Sequence, residues 1–552
     1  MRYLKLFSYS CAVFGIALCG LLIGCGRNSP APSAQSHILV EPLYSEPASF
    51  DPRVQVDSDT YNIMYEVYDT LVELDNNMQV VPALAERWET KDYKTWRFSV
   101  RKGTWFHENP CFKNAEHTRT VTAQDVAYSL NRALKPGGVG AFALTDVVQG
   151  AKDVNDGKAE TATGIRVVDE QTLEIELVKP YRNLAYKLAT PFLFVIPREA
   201  VESYGESFGR NPVGTGPFSL GQVIPGKLIR LTRNPRYWGK GTNGTSLPYL
   251  DGVDYRILAS PEVAWSQFKL GALDSIEIPA ILAQSIAPTG KLLPEYARFV
   301  LLETDALDVH YFGFRMDKPP FKDNLTLREA LNYAVDKRSI CDHLLNGLAR
   351  PAAGVLPPSV YPEFKRPAVF EYNLDLAKTK LAAAGYPNGN GLPEITLAID
   401  NKPTTEVVAQ FVQDALTKLG VRIKLRRTEF STLLTDVSEG KADFFYMYWE
   451  GTDPNAEIFM VQFKSDQFPD KGGYNFGRYS NPQADQLYDQ AVAELNPDAA
   501  IKTWLKMNEV VSADAPWLFL YHSNRLRLTQ ANIKDYDHNP MQIRRFVSTK
   551  KL

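Results

Sequence analysis

The chain has 552 residues and a formal net charge of −3, with 61 lysines and arginines set against 64 aspartates and glutamates. That balance offers no basic footprint for nucleic acid, and the length exceeds what one hydrophobic core organises, so two or three domains are expected. A composition that is 44% hydrophobic and 23% charged excludes a disordered or fibrous chain.

Arg2 and Lys5 form a short basic lead, and Phe7 to Ile23 is uncharged and almost entirely apolar or small. These are the n-region and h-region of an export signal, and the run is marginal beside the ~20 apolar residues that a membrane span needs. Residues 26–37, "GRNSPAPSAQSH", carry no apolar periodicity and read as a flexible tether. No later apolar run approaches a span, so the chain is not itself a membrane transporter. Cys11, Cys19 and Cys25 lie in this leader. Cys111 and Cys341 remain, far apart, and read as two separate thiols rather than a disulfide framework.

From Ile38 to about Phe112 short apolar strands alternate with turns, and residues 95–110 show period-two patterning around Lys102-Gly103. Residues 121–134 predict a helix capped by Thr122 with Asp125, its apolar face made by Ala123, Val126, Ala127 and Leu130. A hairpin about Asp169-Glu170 follows at 164–178. Further helices are expected at 326–340, with a Thr326–Glu329 capping box, and at 374–387, closed by Gly385 and Pro387. Residues 394–453 read as β-α-β-α-β, with Val421, Ile423 and Leu425 on one strand face, which argues for parallel strands with right-handed crossovers.

Parallel α/β sheets bind ligands beyond the carboxyl ends of their strands. Two loops leave such ends here: 401–405, with Lys402, and 450–455, with Glu450 and Asp453 beside Trp449. The pair is a candidate binding site. Other features are dismissed. His107, Cys111, Glu116 and His117 have no short-spaced ligand pair, so no metal site or cofactor is expected. H-E-x-x-H does not occur, and "GTGPF" lacks the Lys-Ser/Thr ending of a phosphate loop, so no enzyme activity is expected.

Several stretches in order resemble the family 5 extracellular solute-binding proteins of ABC importers, the dipeptide- and oligopeptide-binding group. They are "YSEPASFDPR" (44–53), "FSVRKGTWFHENP…RTVTAQDV", "NPVGTGPFSL" (211–220) with "LTRNPRYWG" (231–239), "LREALNYAVDKRSI" and "YNLDLAKTKLAAAGYPNG". The resemblance spans about residues 38–545. It implies an α/β, two-lobe periplasmic-binding-protein fold, class II-like, with an extra subdomain in lobe one and a hinge. Lobe one would hold 38–300 plus 525–552, with the subdomain near 82–207, and lobe two 301–524.

Leu22-Ile23-Gly24-Cys25 is likewise similar to a bacterial lipoprotein signal. Residues 1–24 would be removed and Cys25 acylated; one acyl chain holds a protein marginally, two or more stably. The resemblance further implies a monomer that captures a peptide between its lobes and hands it to an ABC permease. Glu46, Ala48 and Ser49 would line the lobe-one edge and Lys402 would face the ligand carboxylate. In the segment from Trp449 to Asp453, Thr452 stands where the family places its amine-binding aspartate. Either Asp453 or Glu450 then takes the ammonium, or the ligand has no free amine. An oligosaccharide, an opine or a nickel or haem chelate would suit the same fold, as would a sensory role. Gly214, Gly216 and Pro217 read as turn architecture.

Overall fold

The computed structural model describes residues 37–364 and 369–552. The expected export signal, Cys25 and all of the tether except His37 lie outside the described residues. The chain opens with a sheet in which Ile38–Leu43 runs parallel to Gly252–Ile257, followed across the sheet by the antiparallel strands Leu228–Arg233 and Phe218–Ile224. A second, antiparallel sheet has the order Ala85–Thr90, Thr95–Val100, Thr172–Glu176, Ile165–Asp169, and it contains the hairpin expected about Asp169-Glu170.

The helix expected at 121–134 runs from Ala123 to Leu134. The Asp125 carboxylate accepts from the Thr122 N–H at 2.9 Å, and Ala123, Val126, Ala127 and Leu130 are buried. The period-two pattern at 95–110 fares differently. Both edges of Thr95–Val100 are already paired, so beyond Gly103 the chain makes only an isolated bridge, Trp105 to Thr120.

The largest sheet carries the second half of the chain. Its strands here are β1 (Phe299–Asp305), β2 (Asp308–Phe314), β3 (Ile395–Asp400), β4 (Ile423–Thr428), β5 (Phe444–Glu450) and β6 (Trp517–Gln530). Helix α1 (Pro403–Lys418) links β3 to β4, and α2 (Phe430–Ser438) links β4 to β5. Strand β3 pairs in parallel with both β4 and β5, so the expected β-α-β-α-β unit is present. Gly420 ends the α1 turn at a φ of +91°, a left-handed conformation that suits glycine.

Strand β6 ties the two lobes together. Its first half pairs with β2 and its second half with β1. Leu518 and Leu520 accordingly enter one hydrophobic core, and Leu526 and Leu528 another. The two chain crossings, β1 to β2 and along β6, lie side by side, with Ala306 N–H donating to the Ser523 carbonyl at 2.9 Å. Crossings by adjacent strands allow bending about one line, which is how hinged lobes move.

The helix expected at 326–340 is shorter and is capped differently. It spans Leu325–Tyr333, and Asn324, not Thr326, accepts from a first-turn amide, that of Leu327 at 3.1 Å. Glu329 cannot reach back as a capping-box acid because its carboxylate accepts from Lys380 Nζ at 2.7 Å. A separate turn, Lys337–Ser339, follows, capped by Asp336. The helix expected next spans Leu374–Ala383 with Asn373 as its cap. Cys111 and Cys341 are free, buried thiols.

Gly214 and Gly216 lie against the end of helix Ser58–Val67, where a Cβ at either would strike the Val67 or Glu66 carbonyl. Glu66 itself is fully buried. One of its oxygens accepts the Phe546 N–H at 2.7 Å and the other has no hydrogen-bond partner among the described residues. Burial therefore pushes its carboxyl up to about 8. A carboxyl raised on folding adds stability that is full below the unfolded pKa and is lost as pH rises through the folded one. Glu66→Gln, which mimics the protonated acid, should therefore gain stability relative to the native protein between pH 5 and pH 8, by up to ~1.4 kcal/mol per pH unit. Urea unfolding at both pH values measures this. A constant difference would mean that Glu66 stays ionised when folded.

Candidate functional site

The ends of β3 and β5 open onto a cavity of about 250 Å³. Side chains on a strand alternate between faces, so Tyr446, Tyr448 and Glu450 of β5 share the face that borders it. Lys402 and Thr404 reach the cavity from the start of α1, Asp308 and His310 from β2, and Tyr521 and Arg525 from β6. A second cavity of about 510 Å³ shares His310, Thr404, Tyr521 and Arg525, and extends to Glu277 and Ile278.

One wall is a stack of rings. His310 lies 4.4 Å from Tyr521 and 5.6 Å from Tyr448, centroid to centroid and nearly parallel to each. Both ring nitrogens are engaged, Nδ1 with Tyr446 Oη at 2.8 Å and Nε2 with Ser523 Oγ at 3.2 Å. Burial pushes the Asp308 carboxyl up, but the His310 ring and the Ser523 N–H outweigh it and hold the group well below the usual carboxylate range. Asp308 thus stays anionic and fixes the ring beside it.

Two charges in the cavity are uncommitted. Lys402 Nζ sits 5.2 Å from the Tyr448 ring centroid and 5.8 Å from that of Phe430, a cation–π position, and makes no ion pair among the described residues. The Glu450 carboxylate has no hydrogen-bond or ion-pair partner among them either. Burial, then the Asp308 charge, push Glu450 up, while Arg525 and His310 pull it back. Arg525 is itself held by Glu277, at 3.0 Å. A cation and an anion that do not pair with each other, walled by aromatic rings, can receive the opposite charges of a zwitterion. Among the described residues no group of three or more His, Cys, Asp or Glu side chains could hold a metal ion.

The remaining sequence candidates lie elsewhere. Glu46 is exposed and accepts the Gly226 N–H at 2.8 Å. Ala48 is exposed, and Ser49 accepts the Asp51 N–H at 3.1 Å beside Gly209. None of the three borders these two cavities. Trp449 points to the opposite face of β5, edge-on to Tyr474 at 5.2 Å, with its indole nitrogen buried and without a hydrogen-bond partner among the described residues. Thr452 is half-buried. Asp453 is only 5% exposed, and its carboxylate accepts from Asn455 twice, from the backbone N–H at 3.0 Å and from Nδ2 at 2.7 Å. Its Oδ1 is thus held inside its own turn. Of the sequence candidates, the fold brings Lys402 and Glu450 together. Sequence reasoning missed Asp308, His310, Tyr521 and Arg525, although polar residues inside the apolar runs "DVHYFGF" and "WLFLYHSNRL" were a visible signal.

A family model described as bacterial extracellular solute-binding proteins, family 5 middle, matches residues 79–471. The chain belongs to this family. Among family 5 relatives, the heme-binding protein A of Haemophilus influenzae is 27% identical over 526 residues, covering 93% of this chain and 92% of its own. The dipeptide-binding protein of Escherichia coli is 25% identical over 526 residues, covering 93% and 94%. The structure of HbpA2 from Haemophilus parasuis superposes with a TM-score of 0.79 at 24% identity, covering 93% of this chain and all of that one. The α/β two-lobe architecture is thus that of a family 5 periplasmic binding protein.

Proposed function

We propose that this protein is the peptide-capturing receptor of an ABC importer, anchored outside the cell membrane through acylated Cys25 and delivering its ligand to a permease. The observation that carries the reading is that uncommitted Lys402 and Glu450 border one aromatic-walled cavity without pairing with each other. A peptide presents a carboxylate and an ammonium, and a charge-assisted hydrogen bond to each contributes about 1.5–3 kcal/mol. Dipeptide binding by a relative of matching length supports the same class. Glu450 is the reading's choice for the ammonium, because Asp453 is committed to Asn455. Glu46, Ala48 and Ser49 form an outer edge that the ligand backbone meets when the lobes close, with 38–300 plus 525–552 moving as one lobe and 301–524 as the other.

Native mass spectrometry of protein purified without denaturation tests this. Bound masses that fragment as peptides are expected, and their ladder reads out the preferred length. A single non-peptide mass, such as a haem or an oligosaccharide, or a protein that ignores an added peptide pool, would discard the peptide assignment and keep the fold.

A further inference from the structure

Residues Tyr181 and Arg182 belong to the first lobe: Tyr181 is packed in its core beside Leu184. Both reach across to the other lobe, to helices α3 (Ala456–Met460) and α4 (Pro482–Ala493). Tyr181 Oη donates to Glu457 Oε2 at 2.8 Å. Arg182 Nη1 donates to the Ala491 and Glu494 carbonyls at 3.1 and 2.6 Å, at the carboxyl end of α4. A guanidinium there meets carbonyls left without intrahelical partners and the negative end of the helix dipole. Val492 on the same turn packs against the hydrophobic cores of both lobes. Lys187 lies over the Tyr181 ring, 5.7 Å from its centroid, which holds the phenol in place.

We propose that Tyr181 and Arg182 are positioning residues for solute capture, a latch that holds the lobes shut and thereby raises affinity. The proposal rests on the reading that the protein closes around a solute. Contacts made between two lobes favour the arrangement that makes them, whether or not ligand is present. Apparent affinity then scales with the fraction of molecules already closed. The latch also acts directly on the site, because Glu457 follows the 450–455 loop in sequence and fixing α3 fixes the loop that begins at Glu450.

The test compares native protein with the double variant Tyr181→Phe, Arg182→Ala, both free of ligand. Small-angle X-ray scattering should show a larger radius of gyration for the variant, and amide exchange at 451–457 should speed up roughly tenfold. Returning a cation with Arg182→Lys in the Tyr181→Phe background should reverse part of both changes. An unchanged radius and unchanged exchange would overturn the latch, and so would a lowered melting temperature without either change, the mark of a merely structural contact. These readouts need no ligand. A failure of the peptide assignment would show in the mass spectra and leave them standing.

Discussion

Replacing Glu450 by glutamine is expected to lower peptide affinity ten- to a hundredfold, with the melting temperature unchanged or slightly raised. The carboxylate has no partner to lose among the described residues, so the folded protein does not need its charge, and a charge-assisted hydrogen bond to a ligand ammonium is worth about 1.5–3 kcal/mol. Burial and the Asp308 charge push the Glu450 carboxyl up. Only its ionised form attracts an ammonium, so native affinity should fall as pH drops through that raised value. In Glu450→Gln the fall should disappear. Isothermal titration with a dipeptide at several pH values measures both effects. Asp453→Ala should behave in the opposite way, because it dismantles the turn held by Asn455. It is expected to cost about 1–2 kcal/mol of stability and to change affinity less than Glu450→Gln does. Equal affinity in native protein and Glu450→Gln would remove Glu450 from the ligand site.

The largest loss of stability is expected at Arg545. Its guanidinium lies 3.1 Å from Asp69 and 3.1 Å from Glu73, and Asp69 is completely buried. Thr215 Oγ1 and Trp238 Nε1 also donate to Asp69, at 2.8 and 3.0 Å, but neither brings positive charge. Arg545→Ala would therefore leave the buried Asp69 carboxylate without its cation, which costs about 3–5 kcal/mol. The same residue ties the C-terminal segment to the loop after helix Ser58–Val67, so its loss should also free that segment to exchange. Denaturant unfolding checks the first expectation and amide exchange the second. A loss below about 1 kcal/mol would mean that water or repacking replaces the guanidinium.

Local chemistry was readable in the chain. The Thr122 and Asp125 cap, the Asp169-Glu170 hairpin and the β3-α1-β4-α2-β5 unit depend on contacts within about one element's length, and each occurs as its periodicity and turn residues indicate. The Thr326–Glu329 box failed because its acid had a competitor, Lys380, fifty residues away in sequence. Part of the candidate site was legible for the same local reason. Lys402 and Glu450 sit where parallel strands end, and strand alternation alone separates Glu450 and Tyr448 from Trp449.

His310, Tyr521 and Arg525 stood out as polar residues within apolar runs, but nothing local placed them at the site. Strands β2 and β6 are some two hundred residues apart, and only their pairing, with a shift in register beside His310, brings these side chains to Lys402. Asp453 shows the same division from the other side. Its sequence position marked it as a ligand group, and the fold adds a turn in which Asn455 donates twice to its Oδ1.

The sequence by itself determined the parallel unit and the loops that end its strands, because these follow from periodicity, caps and turn residues along the chain; the two-lobed α/β class came from the family resemblance. Only the tertiary structure decided which charges remain free for a ligand. A side chain is free only when no neighbour satisfies it, and the neighbours of Glu450, Asp453 and Lys402 are chosen by strand register and lobe packing rather than by adjacency in the chain.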